Sequence, residues 1–295
     1  MNGATHERSG ARSAAARRDP GWDARRYAFF RIALGLTLLV HFAQLLPYAG
    51  ELFGREGMLP DASASPIAHA FPNVLAWLDA PGFVWAFVLT GALLCLPLVL
   101  GWKDRWAAVG VWFVWACLFG RNPLIANPSL PYVGLLLLVH ACVAPRPDDR
   151  AWRLPRAFHR AVWIVMAVGY TYSGLTKLAA PSWIDGGAVA HVLSNPLARP
   201  TALRTWLLSL PGWTLALVTW ATLALEVLYA PLALSRAARP WIWAAMLGMH
   251  LSLLVLVDFA DLTLGMILLH AFTFEPAWLE GFGAAPRRVY IALRT

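Results

Sequence analysis

Residues 83–100 read FVWAFVLTGALLCLPLVL, eighteen positions without Asp, Glu, Lys, Arg or His. As a helix, such a run comes close to crossing the ~30 Å hydrocarbon core of a bilayer. No water reaches that core to satisfy backbone N–H and C=O groups, so the run has to be helical there. Working outward, comparable apolar runs occupy 27–47, 104–120, 130–144, 157–179, 212–235, 240–257 and 260–275. The fold expected is therefore all-α: a polytopic helical membrane bundle of about eight transmembrane helices. The fourth and eighth runs are short enough to be tilted or re-entrant.

Composition agrees. The 295-residue chain is 59% hydrophobic and 14% charged, with mean hydropathy +0.57, where a soluble domain carries about a quarter charged residues. Sixteen Trp suit membrane interfaces, where indole rings concentrate. Cys95, Cys117 and Cys142 each sit inside an apolar run and form no CxxC pair, so they read as packing residues rather than a disulfide or zinc framework.

Basic residues set the expected orientation. With the N-terminus in the cytoplasm, eighteen of the 24 Lys and Arg fall on that side, in the 1–26 segment, the short loops 101–105 and 236–239, the 145–160 loop and the C-terminal tail. Arg55, Arg121, Arg199 and Arg204 fall on the other side; Arg31 and Lys177 lie within spans. Retention of positive charge in the cytoplasm favours this topology, with both termini inside. It also accounts for the net charge of +8 without nucleic acid, since no basic strip carries interleaved aromatics. Three segments result: an Arg-rich tail (1–21), a transmembrane domain (22–280) and a short cytoplasmic tail (281–295).

Chemistry is expected where ionisable residues enter apolar helices. Tyr170, Ser173, Gly174 and Lys177 recur at i, i+3, i+4 and i+7 and share one helix face. Lys177 has two readings: an anchor whose amine snorkels to the outer interface, or a desolvated amine serving as base or nucleophile. Thr219, Thr222, Glu226 and Tyr229 form a polar stripe, and Glu226, mid-span, requires a partner, expected to be a histidine or arginine of a neighbouring helix. His250 is mid-span with Asp258 on the same face. His41, Gln44 and Tyr48 line the outer end of the first span, while Arg31, His140 and His270 lie near inner ends. Tyr170, Ser173, Lys177, Trp183, His41 and His250 are expected to border one cavity opening outward or to the outer leaflet, because binding sites are concave and apolar with few polar groups; Glu226 is expected among the residues that bind a cofactor. No Walker-type loop, GxGxxG, HExxH or GxSxG elbow occurs, and no metal site is expected.

These residues also resemble a known family. Arg31-Ile-x-x-Gly35 opening the first span, Gly57-Met-Leu-Pro60 in the first long loop, and above all Tyr170-Thr-Tyr-Ser-Gly-Leu-Thr-Lys177-Leu followed by Trp183-Ile-Asp185-Gly186 are similar to the horizontally transferred transmembrane (HTTM) domain. Met249-His250 and Met266-Ile-Leu-Leu-His270-x-Phe-x-Phe extend the likeness over roughly 22–280. That domain is the membrane portion of vitamin K-dependent γ-glutamyl carboxylase and of many bacterial proteins. The resemblance implies a lysine base at Lys177 acting on a reduced quinone at the non-cytoplasmic face of the plasma membrane, with His250 among the functional residues. It also implies an exported peptide as substrate or partner. The carboxylase has a histidine in the segment corresponding to 120–132, where this chain has none, and a large luminal region for which this chain has no counterpart after its last span. Two other classes stay open: a maturation factor for an exported peptide, and a small-solute transporter with Glu226 and His250 carrying protons.

Overall fold

The computed structural model describes residues 21–68, 71–145, 149 and 151–278. Most of the expected 1–21 tail, Arg146, Arg150 and the 281–295 tail lie outside the described residues. Among the described residues regular structure is helical, and strand-like pairing is confined to the isolated bridges Asp23–Arg153 and Ala198–Val257.

The first helix, α1 (Ala24–Leu45), starts where the Asp23 carboxylate accepts the Arg26 N–H at 2.8 Å, a side-chain N-cap. Tyr27, Phe30, Leu34, Leu38 and Phe42 recur at three- and four-residue spacing and are buried, while Phe29, Leu36 and Val40 on the other face are exposed. A 3₁₀ turn carries the chain into α2 (Ala49–Phe53). Helix α3 (Pro81–Leu100) begins with Pro at its first position and ends at Gly101, whose φ of 74° an L side chain rarely adopts. Then α4 (Asp104–Arg121) and α5 (Leu130–Val143) pack in sequence, each against its predecessor.

The second half is built on α6 (Arg156–Lys177), which packs against α10 (Gly212–Val227) and α11 (Tyr229–Leu234). Between α6 and α10 lie three short helices, α7 (Pro181–Ile184), α8 (Ala188–Ser194) and α9 (Ala202–Ser209). The chain closes with α12 (Arg239–Leu256) and α13 (Ala260–Thr273), and α13 joins the halves by touching α1, α5 and α6. The run 212–235, read as one span, is broken at Leu228 into α10 and α11. The other seven expected runs coincide with α1, α3–α6, α12 and α13 to within a few residues.

Three helical stretches among the described residues are long and apolar enough to cross a membrane: Ala24–Phe53, Pro81–Leu100 and Arg239–Leu256. A fourth is reached if α9 and α10, bent by 106°, count as one. Large apolar side chains face outward along the bundle, among them Trp85, Leu93, Ile164, Leu217, Val218 and Trp241. An aqueous monomer rarely carries that much exposed apolar surface; lipid would cover it.

Helix α5 and helix α13 have fourteen residues each. Their terminal carbonyls are met by indoles. Trp152 Nε1 donates to Val143 O at 3.1 Å, and Trp22, Trp163 and Trp243 donate to Phe274, Thr273 and His270 carbonyls at 2.8, 2.7 and 3.1 Å. Orphan C=O groups at a helix end are thereby satisfied without water.

Polar contacts also lock both ends of the first half. At one end the Tyr27 hydroxyl meets His140 Nδ1 at 3.1 Å, and His140 Nε2 and Arg31 Nε lie 3.4 and 3.7 Å from the Asp104 carboxylate. The Arg31 guanidinium also donates to the Leu98 and Val99 carbonyls at the end of α3. At the other end Arg121, expected in an outer loop, is 1% exposed. It donates to Leu59 O at 2.5 Å, Gly54 O at 3.3 Å and Pro60 O at 3.4 Å, holding the Gly57-Met-Leu-Pro60 turn against α4. Beyond it, Asp61 accepts from the Ser63 hydroxyl and amide, which hold its carboxyl below the ordinary range.

Arg121→Met should take the donor from the Leu59 and Pro60 carbonyls, while Gly54 O keeps the Gly57 amide. Charged hydrogen bonds contribute about 1.5–3 kcal/mol, and a loss in that range should appear as proteolytic nicking of the 54–60 turn. A turn as resistant in Arg121→Met as in the parent would show the contacts to be incidental.

Candidate functional site

The site grows from α6. Its buried face is Val162, Trp163, Met166, Ala167, Tyr170 and Gly174. That of α10 is Leu215, Thr219, Leu223 and Glu226. The two faces meet at Gly174, where an added Cβ would lie 2.6 Å from the Val227 backbone nitrogen and 2.9 Å from the Glu226 carbonyl carbon. Only glycine permits this approach, and it brings α10 close enough for its carboxylate to reach the next turn of α6.

Lys177 ends α6. A helical side chain leans toward its own N-terminus, and the Lys177 amine follows that direction back along the helix. It donates to Ser173 Oγ at 3.1 Å and contacts the Glu226 carboxylate directly. Glu226 is 4% exposed, and the Lys177 side chain is one-quarter exposed. The partner of Glu226 is thus a lysine, not the histidine or arginine expected.

The loop after α6 closes over the pair. Trp220 Nε1 donates to Ile184 O at 3.1 Å, and Thr219 Oγ1 accepts from Val189 N at 3.1 Å, pinning α7 and α8 to α10. Between them the Asp185 carboxylate accepts from Gly187 N at 2.8 Å across Gly186, whose φ is 83°. This turn sets the Trp183 ring 4.8 Å from the Lys177 ammonium nitrogen, within cation–π range.

Deeper in the bundle, Tyr170 OH meets His250 Nε2 at 2.7 Å. Tyr229 stacks obliquely on Tyr170, with centroids 4.7 Å apart, and His270 lies 5.8 Å from His250, centroid to centroid. His270 Nδ1 bonds Met266 O at 2.9 Å. Among the described residues His250 Nδ1 and His270 Nε2, both buried, have no hydrogen-bond partner. The site therefore has two tiers: Lys177, Glu226, Ser173 and Trp183 near one end of α6, and Tyr170, Tyr229, His250 and His270 beneath.

His41 stands apart. It pairs with Asp261 at 3.3 Å and packs on Trp115, in a cleft between α1, α4, α5 and α13. Two adjoining cavities there, about 40 and 100 Å³, are lined by none of the Lys177 group. Nor does Asp258 join His250: it pairs with Arg199 at 3.4 Å on the surface. Of the expected group, then, Tyr170, Ser173, Lys177, Trp183, Glu226 and His250 assemble on α6, α7, α10 and α12, and His41 does not. His270 and Tyr229 belong to the assembly. Tyr229 had a signal in the sequence, a shared face three positions after Glu226; His270 lies within the last apolar run, near its expected inner end.

No family model, curated protein or solved structure matches the chain. Among the described residues no group of three or more His, Cys, Asp or Glu is placed to hold a metal. What the arrangement offers is proton chemistry: an amine, a buried carboxylate and a phenol–imidazole pair within one face of packing, roofed by an indole.

Proposed function

We propose that this chain is an integral membrane protein of HTTM type that uses a lipid-soluble reduced quinone, with Lys177 as base on the non-cytoplasmic side of a bacterial inner membrane. The single observation carrying the reading is the direction of the Lys177 side chain. A snorkelling anchor points its amine toward water; this amine turns inward to Ser173 and Glu226 beneath the Trp183 ring. The residues suit a flat phenolic molecule: Trp183 supplies an apolar face, Ser173 a hydroxyl, and Lys177 a proton acceptor. A bound quinol supplies the acidic O–H and the reducing electrons. Lys177 takes the proton, Tyr170 and His250 hold the floor of the site, and the α7–α8 turn holds the Trp183 ring over the amine. The motif of the family resemblance, 170–177 and 183–186, supplies Ser173, Lys177 and Trp183 of the upper tier and Tyr170 of the lower.

The topology belonging to this reading has about eight spans and both termini in the cytoplasm, which puts Lys177 and the 48–82 and 180–211 loops outside. A second reading, proton-coupled transport of a small solute, draws on the helix break at Leu228 beside Glu226, since transporters bind at discontinuous helices.

One experiment addresses both orientation and chemistry. In a Cys142→Ala background, cysteines at the exposed Ala64 and Ser194 should react with an impermeant thiol reagent in intact cells, while one at Arg153 should stay silent. Membranes in the same assay should consume added naphthoquinol without net solute uptake. The reverse labelling pattern, or quinol-independent proton flux, would sink the proposal.

A further inference from the structure

Among the described residues, Glu226 meets one cation, Lys177; the carboxylate is buried, and the amine, one-quarter exposed at the end of α6, reaches inward to touch it. Before the amine can accept a proton it must lose the one it holds as an ammonium. Water can take it only through the quarter of the side chain that is exposed. The touching carboxylate can take it without any change in the net charge buried in the site: ammonium with carboxylate and amine with carboxylic acid are both neutral overall. Moving one unpaired charge into a low-dielectric interior is costly, whereas shuffling a proton within a contacting pair avoids that cost.

We propose that Glu226 holds the Lys177 proton and so frees the amine as a base. The step balances. The N–H bond of the ammonium breaks and an O–H bond forms on Glu226, giving a neutral amine and a neutral acid. An incoming phenolic O–H then breaks, its proton bonds to Nζ, and the electron pair stays on the donor oxygen. The site ends with an ammonium beside that anion and a protonated Glu226. Glu226 acts through Lys177 and is a positioning residue. Its place on α10, against Gly174, lets the two side chains meet. This inference rests on the reading of Lys177 as base.

Difference infrared spectroscopy of the full chain in membranes tests it without relying on turnover. Adding a reduced naphthoquinone should produce the carbonyl stretch of a protonated carboxylic acid, shifted in D2O. That band should be absent in Glu226→Gln and retained, displaced, in Glu226→Asp. Turnover in Glu226→Gln should fall about 10²-fold in kcat with KM unchanged, with Glu226→Asp recovering part of it. Lys177→Met should show the acid band before any quinol is added, because the buried carboxylate is then without its cation. No quinol-induced band in the parent, or one that survives in Glu226→Gln, overturns the role of Glu226. If Lys177→Arg still abolishes turnover in that case, the lysine base stands and only the proton holder is wrong.

Discussion

Lys177→Arg is expected to lower quinol-dependent turnover at least about 10²-fold while the protein accumulates at the parental level. Arginine preserves what holds the structure together. It can pair with the Glu226 carboxylate, donate to Ser173 and lie against Trp183, the three contacts of the native amine. It cannot give up its proton, because the guanidinium stays charged in a protein. Structure and chemistry are therefore separated by one substitution, with the loss set by general-base catalysis at roughly 10²–10⁴-fold. Lys177→Ala is a poorer test, since it strands Glu226, 4% exposed, without a partner. Breaking a buried pair from one side costs about 3–5 kcal/mol, and the lower figure applies because the Lys177 side chain is one-quarter exposed. The measurement is naphthoquinol consumption in membranes, normalised to protein by immunoblot. A Lys177→Arg variant that turns over like the parent would make the lysine an anchor and end the enzymatic reading.

Gly174→Leu should be the most damaging single change in the second half of the bundle. The atoms its Cβ would strike, 2.6 and 2.9 Å away, are backbone of α10 at Val227 and Glu226, and backbone cannot rotate aside. The helices must separate, and the Lys177–Glu226 pair comes apart with them. Overpacking usually costs about 1–3 kcal/mol; against a helix backbone we expect the upper end of that range, about 3 kcal/mol, or more. Gly248→Leu is the matched control, because nothing lies within 4 Å of a Cβ there. Thermal unfolding of purified protein in detergent should show a large drop for the first and almost none for the second. Equal midpoints would mean that α6 and α10 do not approach as closely as Gly174 requires.

Much of the helical architecture was legible in the sequence because a long apolar run without breakers reports a helix. Helices α1, α3, α4, α5, α6, α12 and α13 fall on the expected runs. The shared face of Tyr170, Ser173 and Lys177 was legible for a similar reason: helical periodicity fixes which residues align. Periodicity does not say what a face meets. The pairing of Glu226 with Lys177 spans 49 positions and depends on the rotation of α10 and the bulk missing at Gly174. His41 was grouped with Lys177 because both sit near the same end of their helices, but it turns to Asp261 across α13. Arg121 read as a loop residue since it follows an apolar run, and only the returning 54–60 turn, some sixty residues earlier, explains its burial. The break at Leu228 has a mark in the sequence, Pro231, which cannot bond back to the Val227 carbonyl; the Thr171 hydroxyl donates to that carbonyl instead, at 3.3 Å.

The indole-capped helices bear on the membrane itself. Fourteen residues rise only about 21 Å as an α-helix, well short of the ~30 Å hydrocarbon thickness of an average bilayer. Helices α5 and α13 stay short because tryptophan donors meet their last carbonyls where further turns would supply backbone amides. If α5 and α13 cross the bilayer, as the proposed topology has it, the protein is low where the two adjoin and taller along α1 and α3. Acyl chains beside the low side must compress or tilt to meet it, at a fraction of a kcal/mol per Å. Such a mismatch favours thin bilayers and draws head groups down toward the His41–Asp261 cleft.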